Sequence, residues 1–526
     1  MPTKKQDPTS PQTSLTSGIR QRLTKKTAYD KLLDLSKAIQ VFGTIRGLLE
    51  WDQETMMPPL GAGIRAEACA ATASHIHKLK TGLKFTHLLS QLIDLDSGEV
   101  LSHEMDHSQK AALRVLRRDH LKAIKLPPSF VKTFAHACAA GYHAWVKARK
   151  ENKFALFAPQ LEKIVTLCRK EADLLGYTGH PYDALLDLYE PELKTAELTP
   201  LLSRLETALQ PLVKEFTQKT AFNTDCIRGH FSAEKQMQMG KDLLYKMGLD
   251  PEGCRLDTAV HPFCSGLHPF DTRLTTRIDP HDITYSLASV MHEGGHALYN
   301  AGLPEKDFGS PLCESVSLGI DESQSRWWET IVGLGLPFWE YFYPQLQKVF
   351  PEPFEKLPLS DFYKAINTVK PSFIRTESDE VTYNLHIILR YNLERKLIEG
   401  SLKVKEIPEM WNAEMQRLLG ITPPSETQGC LQDIHWSSGG FGYFPTYSLG
   451  NLYASQFMAT FAKDRPHWEE EIRKGELAPL RQWQKENIHQ WGRTYTPPEL
   501  VQRVTGSPLS EEPFIAYLKR KYSLFS

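Results

Sequence analysis

The feature that most restricts the fold is a helical period running almost unbroken through the first half of the chain. In 28–54 the apolar residues Leu32, Leu33, Leu35, Ile39, Val41, Phe42, Ile45, Leu48 and Leu49 recur at helical intervals, and the stretch stops at Met56-Met57-Pro58-Pro59. The same pattern returns in 64–81, 103–124, 129–153, 156–175, 196–219 and 233–247, punctuated by Pro127-Pro128 and Tyr189-Glu190-Pro191. Such stripes are buried by packing helix on helix, so the expectation is a mainly α protein. Only 254–282 changes texture. There Leu256-Asp257-Thr258-Ala259-Val260 and Thr272-Arg273-Leu274-Thr275-Thr276-Arg277-Ile278 alternate or run β-branched, which predicts a small sheet. Helices are expected again at 283–300, 314–332, 337–350, 361–369, 379–399, 408–419 and 448–461, followed by a polar helical segment to Ser526.

Residues 1–25 carry Pro, Ser, Thr, Gln and Lys with few large apolar side chains, and read as a loose tail. The remainder, 26–526, reads as one mostly helical domain with two lobes around a cleft. A net charge of −1 gives no bulk electrostatic reason to bind nucleic acid or a membrane surface. No secretory pattern opens the chain and no apolar run approaches a bilayer span, so a soluble, cytoplasmic protein is expected. Eight cysteines are scattered without a Cys-x-x-Cys and read as reduced packing residues.

The chemistry centres on Met291-His292-Glu293-Gly294-Gly295-His296-Ala297. On a helix, His292 and His296 lie one turn apart, roughly 5–6 Å between Cβ atoms, within reach of a single ion about 2 Å from each nitrogen. Glu293 leans over that ion and is the candidate general base. Gly294 and Gly295 each cost a helix about 1 kcal/mol relative to Ala, so something must approach closely there, a strand edge, a ligand backbone or a neighbouring helix. A catalytic zinc takes three protein ligands. A histidine six residues past His296 is ruled out, because position 302 is Gly. A carboxylate from the next helix is the other solution, and Glu314, Asp321, Glu322 and Glu329 all qualify. Spacing alone does not separate Glu314 from Glu322, eight residues apart and nearly on one face.

Six segments, in order, resemble the signature motifs of the carboxypeptidase Taq family of zinc carboxypeptidases: His261-Pro-Phe263, Asp271-Thr-Arg-Leu-Thr275, His292-Glu-Gly-Gly-His296, Glu322-Ser-Gln324, Ile374-Arg-Thr-Glu-Ser-Asp379 and Gly429-Cys-Leu-Gln-Asp-Ile-His-Trp436. The likeness extends to Trp51-Asp-Gln-Glu-Thr-Met-Met-Pro-Pro59 and Gly442-Tyr-Phe-Pro-Thr-Tyr447. It implies a large helical body with a deep central groove, similar in fold to neurolysin and angiotensin-converting enzyme, a homodimer, and removal of single residues from the free C-termini of peptides with broad specificity. It also implies Glu322 as third ligand, Zn2+ as the metal with Co2+ an alternative, and an oxyanion donor near His435 and Tyr443. Two positions depart from the family pattern: Asp321 stands where it has His, and Ser378 where it has Ala.

An exopeptidase must also hold the substrate α-carboxylate, which calls for a charged planar fork. Arg375 is the first candidate, with Asp379 or Glu380 to fix its rotamer. Arg273 is the second, and His261 is a candidate substrate contact. Against this reading stand an oligopeptidase cutting inside short peptides through the same site, and a helical scaffold that binds metal without turnover.

Overall fold

A computed structural model of the protein describes residues 27–102 and 104–525. The expected tail at 1–25 and His103 lie outside the described residues. The chain is mainly α with one three-stranded sheet. The expected helices of the first half form at Ala28–Thr55, Ala62–Thr81, His107–Lys125, Pro128–Glu151, Ala158–Leu175, Thr195–Lys219 and Ala233–Met247. The third begins later than its apolar pattern suggested because Asp106 and Gln109 close a reciprocal cap, which sets the first turn at His107.

The sheet has the order β1-β3-β2, with β1 at Cys254–Thr258, β2 at Cys264–His268 and β3 at Asp271–Thr276. β1 runs parallel to β3 and β2 antiparallel to it, so β2 is an edge strand, and Thr44 Oγ1 donates to its Leu267 carbonyl at 3.0 Å. The sequence pattern had located β1 and β3 and missed β2. Asn300 latches this sheet to the helix that follows it, donating through Nδ2 to the His268 carbonyl at 2.8 Å and to Thr272 Oγ1 at 2.6 Å.

That following helix, Ile283–Gly302, carries the two histidines and is here called the metal helix. Asp282 caps it by accepting from Thr284 N and Tyr285 N. It is buried on nearly every side, from Ile283 and Leu287 through Met291 and Leu298. Two more helices complete the centre. The carboxylate helix, Leu318–Arg326, continues into π-helical turns at Trp327–Val332, and the covering helix, Pro445–Asp464, packs across it. Most buried apolar side chains form one large core through these elements. A smaller core, including Leu32, Phe85, Leu89 and Leu113, sits under the N-terminal helices.

Candidate active site

The metal helix and the carboxylate helix meet at Gly295. A Cβ there would lie 2.4 Å from the Gln324 carbonyl oxygen and 2.6 Å from Ser325 Cα, so only glycine lets the two backbones come this close. Gly294 faces the tips of Met247 and Leu244 instead. Of the reasons considered for paired glycines, the neighbouring helix is the one realised. On the far side, Gly450 of the covering helix presses on Glu322, and a Cβ at that position would stand 2.4 Å from Glu322 Cγ. Glu322 is thereby clamped between two helices with its carboxylate turned to the histidines.

Glu322 Oε2 lies 3.6 Å from His292 Nε2 and 3.5 Å from His296 Nε2. Donors about 2.1 Å from one tetrahedral ion are spaced about 3.4 Å apart, so the three atoms fit a single divalent ion. Among the described residues, His292, His296 and Glu322 are the cluster with metal-ligand geometry. The other ring nitrogens are engaged: His292 Nδ1 donates to Glu329 Oε2 at 2.8 Å, and His296 Nδ1 donates to Asp321 Oδ1 at 2.6 Å. Both bonds fix the tautomer that turns Nε2 toward Glu322. Burial works against charge on these imidazoles, but Glu322 and Glu329 around His292, and Asp321 and Glu322 around His296, outweigh it and raise both above the ordinary histidine range. Four carboxylates (Glu293, Asp321, Glu322 and Glu329) face one guanidinium, that of Arg326, which bonds Glu329 at 2.7 Å. Such a surplus of negative charge is what a divalent cation compensates.

Asp321 thus occupies the place where the family pattern has His and makes the bond that orients His296. Glu314 is not on the carboxylate helix. Ser317 caps that helix by accepting from Ile320 N, and the residues before it are not helical, which removes the shared face expected of Glu314 and Glu322. Glu314 pairs with Arg493 at 2.9 Å instead.

The triad opens on a cavity of about 640 Å³ lined by Glu293, Asn300, Tyr443 and Tyr447 and by Phe263, Cys264 and Gly266 along the β2 edge. Glu293 is 5% exposed, and burial raises its carboxyl above the ordinary range while the two histidines pull it down. Tyr443 lines the same cavity, with His435 beside it at 5.3 Å between ring centroids. His435 Nε2 lies 3.2 Å from Tyr447 Oη, and its Nδ1, 4.0 Å from Asp433 Oδ1, has no hydrogen-bond partner among the described residues. Burial, helped by Arg375 and Arg390 against the pull of Asp433, lowers His435 to about 4, so this imidazole is neutral near pH 7.

The other expected residues lie elsewhere. Arg375 is 5% exposed and held by Asp433 Oδ1, which accepts from its Nε at 3.1 Å and Nη2 at 2.8 Å, and by Tyr383 Oη at 3.0 Å. Its rotamer is therefore set neither by Asp379, which accepts from the backbone of Val381 and Thr382, nor by Glu380, which pairs with Lys521. None of the described residues lining the cavity is an arginine or lysine. Arg273 pairs with Asp271 at 2.9 Å and stacks 4.6 Å from the Trp51 ring. His261 is exposed and does not line the cavity, although its chain neighbours Pro262 and Phe263 do. Glu329, one of the carboxylates that spacing offers as third ligand, instead orients His292, and Tyr447, which the sequence does not single out as a site residue, lines the cavity. Glu329 stands seven positions past Glu322, two helical turns, which puts both carboxylates on the side of the histidines.

A mostly helical body bearing two histidines one turn apart, a buried glutamate beside them and a third carboxylate from the next helix defines the His-Glu-x-x-His class of metal centre. Within that class, the chain belongs to the carboxypeptidase Taq (M32) metallopeptidase family, whose sequence profile matches residues 31–522. It is 37% identical over 496 residues to thermostable carboxypeptidase 1 of Pyrococcus furiosus, covering 94% of this chain and 98% of that one. It is 36% identical over 497 residues to carboxypeptidase 1 of Bacillus subtilis, with the same coverage of 94% and 98%. The crystal structure of the M32 carboxypeptidase of Deinococcus radiodurans R1 superposes with a TM-score of 0.91 at 34% identity, covering 95% of this chain and 99% of that one.

Proposed function

We propose that the protein is a metallocarboxypeptidase of broad specificity that hydrolyses the C-terminal bond of peptides, with Zn2+ as its metal and Co2+ as a working substitute. The observation that carries this reading is a ligand triad of the right spacing with Glu293 beside it in the same cavity. His292, His296 and Glu322 would hold the ion, which when bound polarises the scissile carbonyl and acidifies water. Glu293 takes the proton of the attacking water and delivers it to the leaving amine nitrogen, and its raised pKa suits both halves of that task. Tyr443 and the neutral His435 supply donors for the developing oxyanion. The part of β2 that lines the cavity, at Cys264 and Gly266, pairs with extended peptide backbone.

A second reading, cleavage inside short peptides, is favoured by one observation: the cavity wall lacks a cationic side chain, and Arg375 is already saturated by Asp433. N-blocked peptides with free or amidated C-termini, offered to the zinc- or cobalt-loaded protein, decide between them. Rapid loss of one residue only from the free acids is expected, whereas equal cleavage of the amides would establish internal cutting. Glu293→Gln should abolish hydrolysis and keep the metal, and a scaffold without turnover would show no activity to lose. We further infer a cytoplasmic homodimer. Free cysteines, all eight of them, and the family likeness support this, and the mass in solution tests it.

A further inference from the structure

Glu394 lies in the helix Tyr383–Glu399 with no solvent exposure and no part in the metal site. Three donors converge on it. Its Oε2 accepts from Tyr182 Oη at 2.6 Å and from Gly442 N at 3.0 Å, and its Oε1 accepts from Trp436 Nε1 at 2.7 Å. Trp436 directly follows His435 and Gly442 directly precedes Tyr443, so one carboxylate grips the chain next to each candidate oxyanion donor.

The third donor belongs to a strut. Tyr182 sits in the short helix Pro181–Leu186, and the Leu185 backbone abuts Gly442 so closely that a Cβ there would lie 2.7 Å from the Leu185 carbonyl. Gly442 also has φ +92, a conformation that only glycine adopts readily. A few residues on, Tyr189 meets the Tyr443 ring edge-on at 5.3 Å. Tyr443 is thus wedged between the strut and the cavity, and the bond from Gly442 to Glu394 fixes its backbone.

We propose that Glu394 is a positioning residue for hydrolysis, setting Tyr443 and His435 against the metal triad by tying three separate segments to one carboxylate. This rests on the roles assigned to those two side chains above. The chemistry demands a carboxylate. An amide presents one acceptor and one NH2 group, and Tyr182 can rotate to accept from the latter, but Gly442 N–H and Trp436 N–H can only donate. Either orientation of a glutamine therefore orphans one of these N–H groups and frees the chain beside Tyr443 or beside His435.

The test uses the full-length metal-loaded protein with Glu394→Gln, Tyr443→Phe, His435→Phe and the double variants. Glu394→Gln should keep its metal and lose about 10- to 100-fold in kcat with KM nearly unchanged, the penalty of a misplaced catalytic group. In a Tyr443→Phe or a His435→Phe background, whichever removes the group that Glu394→Gln frees, the substitution should cost far less, because it acts through a group already removed. Ring-labelled tyrosine NMR, with the Tyr443 signal assigned by its loss in Tyr443→Phe, should show that signal shifted or doubled in Glu394→Gln. Should Glu394→Gln fail to fold, Tyr182→Phe removes a single donor and should move the same signal by less. Because glutamine frees one segment or the other, the His435 ring signal is followed in the same way, assigned by its loss in His435→Phe; if neither ring signal moves, or the losses are fully additive with both Tyr443→Phe and His435→Phe, the proposal is overturned. A wild-type protein that cleaves no peptide would sink the assigned function, while the two ring signals still decide the role of Glu394.

Discussion

Gly295→Ala is the sharpest test of how the metal site is built. Helix propensity alone predicts a gain of about 1 kcal/mol. The new Cβ, however, would stand 2.4 Å from the Gln324 carbonyl oxygen, where ordinary contacts begin at 3.4 Å, and backbone rather than a pliable side chain is in the way. The carboxylate helix must retreat by about 1 Å, taking the separations between Glu322 and the imidazoles from 3.5 and 3.6 Å to roughly 4.5 Å. Two donors each about 2.1 Å from one ion cannot be more than about 4.2 Å apart, so the triad loses a ligand. Metal affinity should fall at least about 100-fold. A concentration of metal that stabilises the wild type by about 2.7 kcal/mol, 100 times Kd, would then add only about 0.4 kcal/mol. The assay is a chelator-competition titration together with melting curves with and without zinc. Gly294→Ala is the internal control, since its Cβ meets only the movable ends of Met247 and Leu244. If Gly295→Ala binds zinc as tightly as wild type, or Gly294→Ala is the worse of the two, the close helix approach is not what builds the site.

Other outcomes follow from the same geometry. Asp321→Asn keeps an acceptor for His296 Nδ1 but removes its charge, and should weaken zinc about 10-fold in the same competition assay. Glu314→Ala should leave zinc affinity unchanged, because that carboxylate pairs with Arg493, and a loss of metal would place Glu314 in the ligand set after all. Burial raises Glu171 from its ordinary 4.5 to about 7, so the folded state keeps a proton that the unfolded chain has released over that interval. Stability should therefore fall as pH rises from 4.5 to 7 and then level, an effect of about 1–3 kcal/mol. Glu171→Gln should melt higher than wild type at pH 8 but not at pH 4, and parallel melting curves across that range would refute the assignment.

Much of the fold was legible because it is local. Apolar spacing marks a helix wherever the stripe is long enough, and the long helices from Ala28 to Met247 lie within a few residues of where the pattern puts them, whereas the short helices Leu83–Ser90 and Pro181–Leu186 carry too few turns to show it. Strand β2 was missed because Cys264-Ser-Gly-Leu-His has neither alternation nor β-branching, and it becomes a strand only by pairing with β3. The neighbourhood of Arg375 was misread for a similar reason. Asp379 and Glu380 are close in sequence, yet Asp433, far along the chain, completes the ion pair.

The sequence by itself determined that His292 and His296 share one face of a helix with Glu293 beside them, since one turn of backbone sets that geometry without help from the rest of the chain. Spacing left open which carboxylate completes the triad and the family likeness implied Glu322, but the physical reason lies only in the tertiary structure. Ser317 starts the next helix too late to include Glu314, and the missing side chain of Gly295 lets that helix close to backbone contact. Gly450 then presses Glu322 toward the imidazoles. Local periodicity encodes which way a side chain points from its own helix, whereas the distance to a side chain on another helix depends on what the atoms between them allow.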